Sequence, residues 1–524
     1  MAEADSFREL SFLEDAPGKD TPNRLCVTLS DTHFTDRTVG VQNLSGTTWD
    51  FFFDSLEEKC RSYAVGSFYL VIAGDVVDLI RSGRWAEAGV YPWQRDHPDY
   101  PAVLESVMRG ILDNHADFFH ELQELPRRLR ENAGVDHVRV LPLLGNHDKE
   151  VVTCDRVLAM YYREGFGIEP EAIDTAYRRW VGAMYFNDPT RFEAPGAIPW
   201  PAFYFADRGF RYFTTHGHWR DPFNSRAVPG DDTVPGWQVR DGWRLDRWQS
   251  MEYAPFIRPC FGDAVAGGLL SGFIRDMTRK LEAADIDHPR LNRILRELDL
   301  YRPAYLGVQR VMKESGRLRR EEGERGMSVG GIIEEAMYDW VTRWLSWSFT
   351  RQSASRLLRA ALAPGYWIIR AAWGVGLQRH FIRALMTLLQ WIESREVDRK
   401  PSVDLDELKM LPAFLPQYRH YRLQIHGEGH THQPLQEEPN LGGERNSTYI
   451  NFGTWRDRIV QRRKQGYRRR SVLRAFFILD LSPTAGAEER SLYYYTKDMT
   501  VWGDHLDDIS RRDGSESTDL QELF

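Results

Sequence analysis

The sequence predicts an α/β protein with a large, mostly helical insert, and two features of the 524-residue chain carry that expectation. The first is a series of apolar, β-type runs that each end in metal-binding side chains: 25–33 (LCVTLSDTH), 68–78 (FYLVIAGDVVD), 138–148 (VRVLPLLGNHD), 210–218 (FRYFTTHGH) and 421–432 (YRLQIHGEGHTH). A continuous apolar run marks a strand buried on both faces, and open α/β sheets present ligand-binding side chains at the carboxyl ends of such strands. The second feature is the stretch 219–420 between the last two runs, whose pattern turns helical from Ala264 and continues through 291–300, 330–362 and 366–393.

Residues 1–22 read as a flexible acidic leader, with Pro17 and Pro22 discouraging regular structure and no secretory signal visible. The first strand begins at Leu25 and delivers Asp31 and His33, which project to one side of an extended backbone and can reach one ion. The second delivers Asp75. From there to about Arg130 the chain is rich in helix formers and reads as a helical covering with a loop around 91–101.

The third run enters Gly145-Asn146-His147-Asp148. Glycine permits a close turn, Asn146 offers a neutral oxygen ligand, His147 can donate a proton, and Asp148 is expected to hold the His147 ring in one tautomer. His216 ends the fourth run, and His430 and His432 end the fifth. Beyond them, 448–455, 475–482 and 491–498 read as antiparallel edge strands that close the core. The expected organisation is therefore a leader (1–22), a core (23–218 and 421–500), a helical insert or cap (219–420) and an acidic tail (501–524).

A net charge of −8 argues against a protein coated in basic surface for nucleic acid. Cys26, Cys60, Cys154 and Cys260 are widely spaced, which suits reduced thiols in a cytoplasmic protein. The chain has no run of about eighteen uncharged apolar residues, so a spanning helix is not expected.

Counting donors shows why the boxes belong together. Asp31, His33, Asp75, Asn146, His216, His430 and His432 supply seven ligands. With one carboxylate bridging, that makes four for each of two divalent ions. The two aspartates leave residual positive charge, which favours a phosphate oxyanion and a bridging hydroxide. Oxygen and imidazole donors without thiolate suit manganese, iron or zinc.

The ordered series Asp31-x-His33, Gly74-Asp75-x-x-Asp78, Gly145-Asn146-His147-Asp148, His216 and Gly429-His430-x-His432 resembles the calcineurin-like metallophosphoesterase superfamily over residues 24–218 and 421–482. The resemblance implies a four-layer α/β/β/α sandwich. It also implies Asp31, His33 and His432 on one metal, Asn146, His216 and His430 on the other, and Asp75 bridging. His147, assisted by Asp148, would stabilise the transition state or protonate the leaving oxygen. The chain departs from the protein Ser/Thr phosphatases, having Leu79-Ile80 in place of Arg-Gly and Asp148 in place of Glu, and from purple acid phosphatases, having Asp78 in place of tyrosine. Its GHTHQP and YINFGTW segments are similar to those of UDP-diacylglucosamine hydrolases, although His147 stands where those enzymes carry arginine.

The implied activity is hydrolysis of a phosphate ester or pyrophosphate bond in a phosphorylated small molecule, nucleotide or lipid. Three alternatives are kept. Arg351, Arg356, Arg359, Arg370, Arg379 and Arg383 among Trp367 and Trp373 suggest peripheral membrane contact through 330–394, with a lipid substrate. The basic run 456–474 suggests a nuclease. A non-catalytic scaffold of the same fold is the last. Trp340, Trp344 and Trp347 fall at helical spacing and read as packing; His218 and His426 read as neighbours of the ligands.

Overall fold

The computed structural model describes residues 13–14, 17–40, 44, 46–168, 188, 190–191, 204–221, 223–225, 257–286, 288–301, 305–322, 329–354, parts of 359–371, 422–438, 447–462, 466–483, 489–505 and 519–522. The strands are β1 (Leu13–Glu14), β2 (Asn23–Leu29), β3 (Val65–Ile72), β4 (His137–Pro142), β5 (Tyr204–Asp207), β6 (Tyr212–Thr215) and β7 (Ile425–Glu428). They continue with β8 (Leu435–Glu437), β9 (Thr448–Asn451), β10 (Arg458–Arg462), β11 (Gly466–Leu481), β12 (Ser491–His505) and β13 (Asp519–Glu522). The principal helices are α1 (Gly46–Ser62), α2 (Gly83–Ala88), α3 (Tyr100–Asn114), α4 (Ala116–Ala133), α5 (Ser271–Ala283), α6 (Pro289–Arg296), α7 (Tyr305–Glu322) and α8 (Val329–Ser346).

The strands form two mixed sheets. One has seven strands, in the order β13-β12-β11-β2-β3-β4 with β10 paired to β11; the other has six, in the order β1-β5-β6-β7-β9-β8. β2, β3 and β4 are parallel neighbours, as are β6, β7 and β9. The expected α/β class holds.

Alternation along the strands separates two cores. Cys26, Tyr69, Val71 and Leu141 from the larger sheet cluster with Phe205, Tyr212, Ile425 and Ile450 from the smaller, all buried. The intervening residues Leu25, Val27, Phe68, Leu70 and Ile72 join a second cluster with Phe52, Phe53 and Leu56 of α1 and Leu122 and Leu129 of α4. Arg24 on β2 clasps the two sheets, pairing with Asp207 on β5 and with Asp480 on β11, and its guanidinium lies 4.2 Å from the Phe210 ring centre.

Several expectations are corrected. β9 is parallel to β7 and lies inside the smaller sheet, and β11 lies between β2 and β12, so neither is an edge strand. The reason is burial: Phe476, Phe477 and Ile478 are almost wholly enclosed, which an edge strand facing water would not achieve. Part of the leader is built into the sheets, since β1 pairs with β5 and the Thr21 carbonyl accepts from Ser482 Oγ and Arg490. The tail contributes β13, and β12 runs into it as far as His505. Helix α1, not anticipated from the sequence, buries Trp49, Phe52, Phe53, Leu56 and Cys60 along one face.

The described part of the insert is mostly helical, and its residues Phe273, Met277, Ile333 and Trp340 share the main cluster with the core, so it is not a separate packing unit. Trp340 and Trp344 are buried, as expected for packing residues. Gly272 is where α5 and α8 meet closely: a Cβ there would run into the Trp340 ring. Most of 355–394 lies outside the described residues, as do the side chains of 460–466 and 468–471 in the basic run. Of that run, Arg456 is buried and Arg474 pairs with Asp498 at 2.7 Å. Among the described residues, no helix is long and apolar enough to cross a membrane.

Candidate metal centre

All seven expected ligands meet at the carboxyl ends of parallel strands. Asp31 and His33 follow β2, Asp75 follows β3, Asn146 follows β4, His216 follows β6, and His430 and His432 follow β7. Among the described residues, three groups of donors converge: Asp31 with His33 and His432, His33 with Asp75 and His147, and Asp75 with His216 and His430.

Backbone conformation aims these side chains. Asp31, His33, Asp75, His430 and His432 all have positive φ, between 49° and 64°. Non-glycine residues in that region are held there against a cost of about 1–3 kcal/mol each, and such strain gathers at functional sites. Two glycines allow the close approach: a Cβ on Gly145 would collide with Asp75, and one on Gly429 with Ser30 and Asp31.

Each of the carboxylates Asp31 and Asp75 divides its oxygens between backbone and cluster. Asp31 Oδ2 accepts the His430 N–H at 3.0 Å, while Oδ1 makes no hydrogen bond and lies 3.1 Å from His432 Nε2 and 3.6 Å from His33 Nε2. Asp75 Oδ1 accepts the His147 N–H at 2.8 Å, while Oδ2 lies 3.2 Å from His216 Nε2 and 3.6 Å from His33 Nε2. The imidazoles are oriented from behind. His216 Nδ1 donates to the Ala73 carbonyl at 2.8 Å, which turns Nε2 towards Asn146 Oδ1, 3.1 Å away.

The expected pairing of Asp148 with His147 does not form. Asp148 is fully enclosed and faces back into the loops, accepting the Val76 N–H at 2.9 Å and the Gly145 N–H at 2.6 Å. Asp78 takes its place: His147 Nδ1 donates to Asp78 Oδ1 at 2.7 Å, and His33 Nδ1 lies 3.4 Å from Asp78 Oδ2. The only sequence signal for Asp78 is its place three residues after Asp75, on the loop that packs beside the Asn146-His147 turn through a Leu79 N–H to His147 carbonyl bond of 3.1 Å.

Sequence reasoning also missed Asp221, whose Oδ2 accepts from His430 Nε2 at 2.9 Å. His218 is buried beside His216 and His430, with ring centres 5.4 and 6.4 Å away. Burial pushes its pKa down, and the two neighbouring imidazoles add to that. His426 Nε2 lies 3.2 Å from Glu428 Oε1 and, among the described residues, belongs to none of the donor groups.

The electrostatics suit cations. Burial opposes charge throughout the cluster, yet the surrounding imidazoles hold Asp31, Asp75 and Asp78 well below the usual carboxylate range. Burial likewise works against charged imidazole, and the carboxylates overcome it, lifting His33 to about 9 and His216 to about 10. Protons thus stand where a cation could. A buried carboxylate oxygen, Asp31 Oδ1, lying 3.1 Å and 3.6 Å from the Nε2 atoms of His432 and His33, which themselves face each other at 3.0 Å, is the arrangement a divalent ion resolves by accepting all three lone pairs. The residues present fit such an ion.

Comparison of the chain with protein-family models, with curated proteins and with solved structures finds no match in any of the three.

Proposed function

We propose that this chain is a metal-dependent phosphoric ester hydrolase of the calcineurin-like metallophosphoesterase type, with a four-layer α/β/β/α core and two divalent ions. Asp31, His33 and His432 would hold one ion and Asn146, His216 and His430 the other, with Asp75 shared. The observation that carries this reading is that Asp75 belongs to two donor groups at once, one through His33 and one through His216 and His430.

When bound, the ion pair would supply Lewis acidity towards a phosphoryl oxygen and acidify a water molecule for attack on phosphorus. The chain supplies the rest. Asp31 and Asp75 fix the backbone of His430 and His147 as well as facing the cluster, so the loops from both sheets are positioned together. With Nδ1 engaged by Asp78, the His147 ring has Nε2 left to hand a proton to the leaving oxygen, and its partial exposure of 16% gives substrate access to it.

The test is hydrolysis of p-nitrophenyl phosphate and of the matching diester by chelated protein reloaded with manganese, beside Asp75→Ala. Metal-dependent turnover of either ester that vanishes in the variant is the expected result. Full activity in a metal-purified, folded Asp75→Ala protein overturns the assignment.

A further inference from the structure

The ligands of the two ions are held from behind in different ways, and one of the two supports comes from a part of the chain that the ligand boxes do not include. The first-ion residues are braced from within the core, His33 by Asp78 and Asp31 by the His430 N–H. For the second ion, His430 and Asn146 share a brace just beyond His218. It is a turn in which the Asp221 carbonyl accepts the Asn224 N–H at 3.1 Å and Asp221 Oδ1 accepts the Phe223 N–H at 2.8 Å.

The turn's own backbone bond uses Asp221 Oδ1, and Oδ2 takes side-chain partners. It accepts from Asn224 Nδ2 at 2.7 Å and from His430 Nε2 at 2.9 Å. Asn224, with its amide nitrogen so fixed, turns Oδ1 to accept from Asn146 Nδ2 at 3.3 Å. A chain of side-chain hydrogen bonds therefore runs from Asn146 through Asn224 and Asp221 to His430. At each end it engages a donor: His430 has Nδ1 left as its lone-pair nitrogen, and Asn146 has its oxygen left, 3.1 Å from His216 Nε2. Both residues are thereby presented as ligands, with the tautomer of one and the amide orientation of the other decided in advance. The turn itself is held by a later stretch of the insert, since the Gly262 N–H donates to the Phe223 carbonyl at 2.7 Å and the Phe223 and Phe261 rings lie 5.7 Å apart.

We propose that Asp221 and Asn224 are positioning residues for the second ion, and that through them the 257–263 segment of the insert governs how firmly that ion is kept while leaving the first ion unaffected. The inference rests on the two-ion reading above and deepens it. A carboxylate or amide that orients a metal-bound side chain is typically worth about 10- to 100-fold in metal affinity.

The experiment is a count of bound manganese on the full chain by equilibrium dialysis, with free ion read by electron paramagnetic resonance, for wild type, Asp221→Ala, Asp221→Asn and Asn224→Ala. The melting temperature of each chelated protein is measured alongside. Expected is two ions on wild type and, on Asp221→Ala, one ion of unchanged affinity and a second weakened by about 10- to 100-fold. Asp221→Asn, which keeps an acceptor oxygen, should recover part of that loss, and Asn224→Ala should show a smaller selective loss. Chelated melting temperatures should agree. Two ions bound with wild-type affinity by both alanine variants would overturn this inference and leave the proposed function standing. Equal weakening of both ions, or a fall in the melting temperature of the chelated variants, would overturn it by making the turn a support of the fold. Fewer than two ions on wild type would remove the two-ion reading itself, and this inference with it.

Discussion

One carboxylate, Asp78, serves two histidines: His147 donates to its Oδ1 at 2.7 Å, and His33 Nδ1 stands 3.4 Å from its Oδ2. Asp78 therefore couples the proposed proton donor to His33, a proposed ligand of the first ion. His147→Ala should lower kcat by about 10²- to 10⁴-fold, and Asp78→Ala by about 10- to 100-fold. With Asp78 in the proposed role of positioning His147 for leaving-group protonation, the double variant should turn over little more slowly than His147→Ala once metal content is equalised. Steady-state kinetics on the three proteins decide it; multiplicative losses would mean that Asp78 works by another route.

Asp148 should behave as a part of the fold. Its carboxylate is the acceptor for two enclosed backbone N–H groups, at Val76 and Gly145. Asp148→Ala strands both, at roughly 1–3 kcal/mol each. Thermal or urea unfolding should show a loss of that size, whereas turnover per folded, metal-loaded molecule should fall less than for Asp78→Ala. The reverse order of effects would restore the role expected from its place beside His147.

These two aspartates also show where the sequence was readable and where it was not. The candidate ligands could be read because each is a chemically distinctive residue at the end of an apolar run, and strand ends converge in any sheet whose strands are parallel. All seven lie at the predicted centre. Which carboxylate serves which histidine depends on how neighbouring loops turn, so nearness in sequence selected Asp148 while nearness in space selects Asp78. The left-handed backbone of Asp31, His33, Asp75, His430 and His432 has no local signature, since it is imposed by hydrogen bonds such as His33 N–H to the Asp75 carbonyl, at 2.9 Å, from another strand's loop. Strand order failed similarly: the apolar content of 475–482 announces burial, not the neighbours that cause it. Asp221 lay in a loop with no periodic pattern and could be found only through its partner.

The residues after His147-Asp148 tie the loop that carries His147 to the insert. Lys149 is completely buried, with Nζ 2.7 and 2.8 Å from the two Asp263 oxygens and 3.4 Å from Cys260 Sγ. Burial would drive its proton off, and Asp263 more than offsets this, holding the ammonium charged. Removing one partner leaves an enclosed charge, so Lys149→Met and Asp263→Leu should each destabilise by about 3–5 kcal/mol. Together they should cost much less than the sum of the two. A double-mutant cycle on unfolding midpoints measures the coupling, and additive costs would show that the pair does not interact.

His115 gives a test of pH dependence away from the candidate metal ligands. It joins α3 to α4, packs its ring 4.6 Å from that of Phe34, and donates from Nε2 to the Thr35 carbonyl at 3.0 Å. Burial, and then the Arg37 charge, lower its pKa to about 4, against a smaller upward pull from the Thr35 carbonyl. Unfolded, the ring titrates near 6.5. Between those values the unfolded chain binds the extra proton, so stability from this residue is complete above about pH 6.5 and is lost as the pH falls towards 4. A separation of that size corresponds to something on the order of 3 kcal/mol. His115→Gln keeps a side-chain N–H for Thr35 but cannot take up the proton. Chelated wild type should lose more stability than chelated His115→Gln between pH 7.5 and 4.5, read as the difference in unfolding midpoints. Parallel losses in the two proteins would show that His115 is not the group that takes up the proton.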